Sequence, residues 1–209
     1  MARKTPRRRR RAGENLGAGR DGQGARCRPA HPSGRPSRIR TPEGIDAEDL
    51  LPFTDTHALT VAGRPTSAQE VALWCGRQEF PVPPRAITEW QRDDDVRAHV
   101  LVQDERVVGY GELWFDAEED EVELARIIVA PDARGKGLGR LLVRGLLAQA
   151  AAAGHHDIFL RVHPDNATAL RCYRAAGFAP VDPALAATWN KTQPVDHAWL
   201  RHDPEASGA

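Results

Sequence analysis

The chain has 209 residues, enough for one domain with a sizeable hydrophobic core, and its 29 basic and 29 acidic residues balance to a net charge of zero. The balance conceals an asymmetry, because residues 1–40 hold twelve arginines and Lys4 against Glu14 and Asp21, a net of +11, which leaves −11 for the rest. No segment is long and apolar enough for a transmembrane helix.

The first 48 residues are rich in Arg, Gly and Pro and lack an apolar run, which predicts a disordered basic tail. Such a tail can bind nucleic acid through phosphate contacts, and we expect no other interaction with nucleic acid. The alternative is a start further downstream at a non-ATG codon, so that the tail is not made: Met1 is the sole methionine, and an excess of arginine over lysine is typical of a GC-rich coding sequence. Residues 204–209 are predicted to form a second disordered tail, which leaves 49–203 for the folded domain.

The cellular compartment is indicated by two features of the sequence. The basic start is not followed by the apolar stretch of a secretory signal. The three cysteines (Cys27, Cys75 and Cys172) are widely spaced and lack a metal-ligand rhythm. We therefore expect reduced thiols, a cytoplasmic location and no membrane association.

The first elements after the tail are short. Residues 50–53 are apolar and predict a strand. Ser67 and Glu70 form a capping box, in which Ser67 caps a helix and Glu70 reaches back to the backbone at the helix start. Three prolines within residues 81–84 predict a loop, and residues 87–91 predict a short helical turn.

Three strands are predicted next, over residues 99–102, 107–114 and 122–129. The connections between them are short, which favours antiparallel hairpins. Pro131 ends the third strand, and a glycine-rich stretch follows at residues 134–139.

A long helix is predicted over residues 137–153, with Gly154 as its C-terminal glycine. Apolar or small residues recur along it at the spacing of one helix face, which predicts a core face: Leu138, Leu141, Leu142, Gly145 and Leu146. A strand follows at residues 158–162.

The last third of the chain is predicted to hold one helix and two strands. The helix begins after Asp165 or Asn166, runs through Ala176 and is terminated by Gly177. The strands are predicted at residues 178–181 and 197–201. Together these elements indicate a mixed α/β (α+β) fold, with a mostly antiparallel sheet, helices on both faces and one parallel crossover through the long helix.

The strand, glycine-rich turn and helix around residues 134–139 predict an anion site. The first N–H groups of a helix lack internal partners, and the helix dipole adds positive potential. The spacing does not fit a dinucleotide fingerprint, because Arg140 stands where its third glycine belongs, and no P-loop run is present. A phosphate-bearing ligand of another class, or a turn without a ligand, remains.

The pattern Arg134-x-x-Gly137-x-Gly139 resembles the pyrophosphate-binding signature of the GNAT superfamily of N-acetyltransferases. The strand at residues 124–129 and its Ala-Pro-Asp turn are similar to that family as well. So is the segment 166–178, which resembles its N-x-x-A-x-x-x-Y-x-x-x-G-F motif. The resemblance covers residues from roughly 50 to 203 and leaves the basic tail outside.

The resemblance implies a GNAT fold, acetyl-CoA as co-substrate and direct attack of an amine on the thioester. Asn166 is expected to cap its helix and to touch the cofactor. The backbone of the third strand is expected to pair with the pantetheine arm, next to a β-bulge that splays the sheet. The remaining residues expected to bind the cofactor are Ile127, Ile128, Val129, Arg134, Gly135, Lys136, Gly137, Leu138, Gly139, Arg140 and Tyr173.

The resemblance also implies the catalytic groups. Tyr173 matches the tyrosine of the second motif and is expected to donate a proton to the departing thiolate, against the alternative of a core tyrosine. Glu123 is the candidate general base, since several relatives carry a glutamate there, and Glu112 on the neighbouring strand is its rival. Some relatives place the base where this chain has Arg161, so that route is in doubt.

Other features leave alternatives open. The histidines at 155, 156 and 163 lack a ligand spacing, so we expect no metal. A non-catalytic acyl-CoA sensor is the alternative to an enzyme, and the protein is expected to be a monomer or a homodimer. The sequence predicts only the class of the acceptor, a small-molecule or protein amine. The acidic balance of the domain mildly favours a cationic acceptor.

Overall fold

A computed structural model describes residues 49–203. The two predicted tails, 1–48 and 204–209, lie outside the described residues, as does Cys27. Within 49–203 no helix is long and apolar enough to cross a membrane.

One seven-stranded sheet organises the described residues, with the strand order β1-β2-β3-β4-β5-β7-β6. All neighbouring strands are antiparallel except β4 and β5, which are parallel. This confirms the predicted fold class. The strands are β1 (Leu50–Pro52), β2 (Val96–Gln103), β3 (Arg106–Asp116), β4 (Glu121–Val129), β5 (Asp157–Val162), β6 (Phe178–Pro180) and β7 (Ala198–His202).

Six α-helices cover the two faces of the sheet, and 3-10 turns precede α1 and α4. The helices are α1 (Ala58–Ala62), α2 (Ala68–Cys75), α3 (Pro84–Trp90), α4 (Leu138–Ala152), α5 (Ala167–Ala175) and α6 (Pro183–Asn190). The sequence did not predict α1 or α6.

The loop predicted from three prolines is partly wrong. Pro84 is the first residue of α3, where the missing N–H costs nothing and the fixed φ suits the helix. The helix then runs to Trp90, so it is longer than the predicted turn at 87–91.

The face formed by α4 and α5 holds the larger hydrophobic core. Leu142 and Leu146 are fully buried on α4, as the predicted helix face requires. They pack against Gly109 and Gly111 of β3, where an added Cβ would lie 3.0 Å from Leu142 Cδ2 and 2.7 Å from Leu146 Cδ1. Glycines on this strand therefore let α4 approach the sheet closely.

The opposite face carries two smaller cores and, between them, a strip of sheet lined by charged and aromatic side chains. One core lies under α1 and α3, around Val100, Tyr110 and Ile87. The other lies under α6, around Phe159 and Trp199. The middle of β3, β4 and β5 lies between these two cores.

Candidate active site

The glycine-rich turn begins α4 in the predicted way. Gly135 and Gly137 have φ values of 75° and 80°, and Gly137 is the N-cap of the helix. These are left-handed conformations, which glycine adopts without the penalty of a Cβ. An added Cβ at either position would meet no atom within 4 Å, so the backbone here lines open space.

The cationic side chains of the turn take different positions. Arg134 donates from Nε to the Val129 carbonyl at 3.0 Å and forms an ion pair with Glu70 of α2. Lys136 Nζ donates to the Asp132 carbonyl at 2.9 Å, whereas Arg140 is exposed on α4. Arg134 and Lys136 thus brace the turn.

Glu70 corrects one detail of the predicted capping box. Ser67 Oγ accepts from the Glu70 amide at 3.1 Å, as expected of the N-cap. The Glu70 carboxylate, however, accepts from the amide and hydroxyl of Thr66, both at 2.8 Å. Since its other oxygen pairs with Arg134, the cap of α2 is tied to the glycine-rich turn.

A β-bulge interrupts β4 at residues 126 and 127, at the start of the segment where the family resemblance implies one. Tyr110 pairs with Ile128 and Glu112 with Ala125, so two residues of β4 stand opposite one residue of β3. Arg126 lies in the bulge with a φ of 47°, which is unusual for a residue with a Cβ.

Strands β4 and β5 separate directly beside the bulge. Their parallel register begins at Glu121 and ends at the pair Leu124–Leu160, whereas β4 continues to Val129. Ile127, Ile128 and Val129 therefore border a gap between two parallel strands, and this gap leads to the glycine-rich turn. Leu138 is buried at the first position of α4, and Gly139 faces Cys172 of α5.

Helix α5 and its N-cap hold two of the predicted residues, Asn166 and Tyr173. Asn166 Oδ1 accepts from the Ala169 amide at 3.2 Å, which confirms its role as the helix cap. Tyr173 is buried among the residues of the main core and contacts Phe178 edge-on. Its hydroxyl makes no hydrogen bond to another residue within 49–203, and burial raises its pKa above the ordinary tyrosine value.

A buried carboxylate lies between the two cores of this face. Glu112 is 0% exposed. Its Oε1 accepts from the Tyr110 hydroxyl and from Gln91 Nε2 at 3.4 Å, and its Oε2 accepts from Trp114 Nε1 at 2.6 Å and Arg126 Nη1 at 2.8 Å. Both oxygens are therefore fully engaged. Burial and the adjacent Glu112 charge raise the pKa of Tyr110 well above its usual value.

The second predicted carboxylate, Glu123, lies on β4 next to the point where β4 and β5 separate. Glu123 is paired with Trp114 in the register of β4 and β3, one step before the parallel strands separate. Its side chain is 12% exposed, and its Oε1 lies 3.2 Å from Nε of Arg161 on β5. Arg161 also donates from Nη1 to Gln193 Oε1 at 3.2 Å.

Aromatic rings and guanidinium groups alternate across the strip. The Arg126 guanidinium lies 4.0 Å from the Trp90 ring and 4.8 Å from the Trp114 ring. The Arg161 guanidinium lies 5.7 Å from Trp114 and 5.6 Å from Trp199. We call the strip between α3 and α6 that these five side chains form the Arg–Trp strip.

The sequence did not single out Arg126 or Gln91. The available signal was a cation in the otherwise apolar strand 124–129, but its partner Glu112 lies on another strand. Among residues 49–203, no group of three His, Cys, Asp or Glu side chains could hold a metal ion.

The chain belongs to the acetyltransferase (GNAT) family, whose model matches residues 67–178, more than half of the chain. It is 28% identical over 170 residues to a mycothiol acetyltransferase of Jonesia denitrificans, covering 78% of this chain and 50% of that one. It is 36% identical over 88 residues to a streptothricin acetyltransferase of Streptomyces lavendulae, covering 42% and 47%.

The chain thus spans about half the length of these curated relatives. Its fold is similar to that of an aminoglycoside acetyltransferase solved with coenzyme A, with a TM-score of 0.60 and 18% identity. That match covers 75% of this chain and 95% of the solved one.

Proposed function

We propose that the protein is an acetyl-CoA-dependent N-acetyltransferase that acts on a primary amine. The observation that carries the proposal is the gap between the parallel strands β4 and β5, which leads to left-handed glycines at the start of α4. Acetyl-CoA, when bound there, supplies the acetyl group as a thioester. The acetyltransferases among the relatives support the same reaction.

The residues around the gap fit two parts of coenzyme A, the pyrophosphate and the pantetheine arm. The amides at the start of α4 lack helix partners and meet open space beside Gly135 and Gly137, which suits a pyrophosphate. The exposed Arg140 adds positive charge there. The backbone of Ile127–Val129 has lost its β5 neighbour and offers strand hydrogen bonds to the pantetheine arm.

Glu123 is the proposed general base. A lysine-like amine with a pKa of about 10.4 needs roughly 4.6 kcal/mol to become neutral at pH 7, so a proton acceptor must be nearby. Glu123 lies where the parallel strands part, and Arg161 fixes its orientation. Glu112 is the weaker candidate, because it is inaccessible and four donors already occupy its oxygens.

Tyr173 is the proposed proton donor to the thiolate. Burial raises its pKa above the ordinary value of about 10, so the phenol stays protonated at the pH where a thiol of pKa about 8.5 departs. Its hydroxyl bonds to no other residue within 49–203, so its proton is not already donated there.

The test measures free-thiol release from acetyl-CoA with a panel of amines. We expect release that depends on the acceptor, with kcat reduced about 100-fold in Glu123→Gln, in the range of general base catalysis, and reduced in Tyr173→Phe. Acetyl-CoA affinity should stay unchanged in both variants. Glu119→Gln makes the same change on an exposed loop carboxylate and should match the parent.

Binding of acetyl-CoA without thiol release for any amine would instead favour the non-catalytic sensor. An unchanged rate in Glu123→Gln or Tyr173→Phe would reject the role given to that residue.

A further inference from the structure

The Arg–Trp strip limits what can bind beside Glu123, the proposed general base. Arg126 lies in the bulge of β4, and Arg161 lies on β5 just past the last parallel pair. Their guanidinium groups both border the ring of Trp114, at 4.8 and 5.7 Å. An acceptor that approaches the gap along this face therefore meets two guanidinium groups held by aromatic rings.

Each carboxylate of the strip already balances the charge of an arginine. All acceptor positions of Glu112 are used by Tyr110, Gln91, Trp114 and Arg126, and its side chain is 0% exposed. The Glu123 carboxylate pairs with Arg161. A polycation needs uncompensated carboxylates, and the two in the strip each have an arginine partner.

The arginines, in contrast, keep spare donors. A guanidinium carries five N–H groups, and the Arg126 side chain gives one of them to Glu112 and none to another residue within 49–203. Its side chain is 16% exposed, and the Trp90 ring 4.0 Å away fixes its plane. The unused hydrogen-bonding capacity of the strip is thus on the donor side, which suits a carboxylate bound by a planar fork.

We infer that the acceptor is an amine that also carries a carboxylate, that Arg126 binds this carboxylate, and that the amine then points toward Glu123. Arg126 is a specificity-determining residue. The inference rests on the proposed function, because only an acetyltransferase has an acceptor. It favours an amine with a carboxylate over the purely cationic acceptor that the acidic balance of the domain suggests.

The experiment compares amino acids with the amines that lack only their carboxylate, such as lysine with cadaverine and phenylalanine with phenethylamine. Thiol release is measured with the full chain and acetyl-CoA. Equilibrium binding is measured with the full chain and CoA, with tryptophan fluorescence as the signal, because Trp90 and Trp114 flank Arg126. In at least one pair, we expect the carboxylate-bearing member to have a kcat/KM at least tenfold higher and to bind more tightly.

Arg126→Gln should remove that preference, raising KM for the carboxylate-bearing acceptor and leaving its amine counterpart and acetyl-CoA unaffected. Arg97→Gln is the matched control, because Arg97 also lies over an aromatic ring, Phe115, at 4.5 Å, but on strand β2. The comparison within the parent chain decides the question even where Arg126→Gln fails to fold.

Each outcome separates the two proposals. Equal or better turnover of the amines without carboxylate overturns the inference and leaves the acetyltransferase proposal standing. Binding that requires the carboxylate, without thiol release, supports the inference and overturns the acetyltransferase proposal. Absence of both binding and release across all pairs overturns both.

Discussion

Replacing Glu112 by glutamine tests whether its ion pair organises the Arg–Trp strip. The change keeps the shape of the side chain but removes the charge that faces Arg126 Nη1 at 2.8 Å. The glutamine oxygen can still accept from Trp114 and Arg126, and its amide can donate to a Tyr110 hydroxyl that turns round to accept. The main effect is therefore that the positive charge of Arg126 loses its negative partner, while the Arg126 side chain is only 16% exposed to water.

Breaking a buried ion pair from one side costs about 3–5 kcal/mol. We expect a value near the lower limit, about 3 kcal/mol, because the shape and most hydrogen bonds persist. At about 2–4 °C per kcal/mol for a domain of this size, the melting temperature should fall by about 6–12 °C.

Urea unfolding of the full chain measures the free energy directly. Glu119→Gln, an isosteric change on the surface, should stay within about 0.5 kcal/mol of the parent. The double variant Glu112→Gln/Arg126→Gln should be more stable than the sum of the single losses predicts, because it removes both charges. A loss below about 1 kcal/mol for Glu112→Gln, with additive effects in the double variant, would refute the reasoning.

Three further predictions follow from local geometry. Gly111→Ala should destabilise the fold by about 1–3 kcal/mol in urea unfolding, because its Cβ would lie 2.7 Å from Leu146 Cδ1, whereas Gly63→Ala, with its nearest atom at 3.6 Å, should be close to neutral. Gly137→Ala should cost about 1–2 kcal/mol for the left-handed conformation and weaken CoA binding in a titration; unchanged affinity would remove the turn from the site. Burial and the Arg97 charge lower the pKa of His99, so the unfolded state binds more protons than the folded state, and the free energy of unfolding should fall as the pH drops below about 6.5. Melting temperatures at pH 7.5 and 5.5 measure this loss. An equal pH dependence in His99→Gln would contradict it.

Much of the fold was predictable because it is encoded locally. The period of Leu138, Leu142 and Leu146 gave the core face of α4, and Gly154 and Gly177, with φ values of 90° and 89°, follow the helices that they were predicted to end. The short connections around β3 fixed its antiparallel neighbours.

The elements that were missed lack such local signals. Helix α1 has only five residues, too few to show a helical period. Helix α6 begins at Pro183 after the cap Asp182, whose Oδ1 accepts from the amides of Ala184 and Leu185 at 2.9 and 3.1 Å. The proline and the acidic cap were visible in the sequence, but the helix has only eight residues, and Leu185 and Trp189 give a single repeat of the helical period.

Only part of the candidate site was predictable, because the glycine-rich turn has a local sequence signal and the partners of Glu112 have none. The glycine-rich turn is contiguous in sequence, so its spacing could be read directly. The partners of Glu112 lie on β3, on β4 and at Gln91, which follows the end of α3, so no spacing in the chain predicts them. The cytoplasmic location, the oligomeric state and the role of the basic tail stay predictions.

The central claim is that the gap between β4 and β5 and the turn at the start of α4 bind acetyl-CoA. Amide hydrogen exchange of the full chain with and without acetyl-CoA tests it most directly. We predict added protection in peptides that cover 125–129 and 135–140, with peptides of β2 (Val96–Gln103) unchanged. Protection elsewhere, with exchange at 125–140 unaltered under saturating acetyl-CoA, would contradict the account.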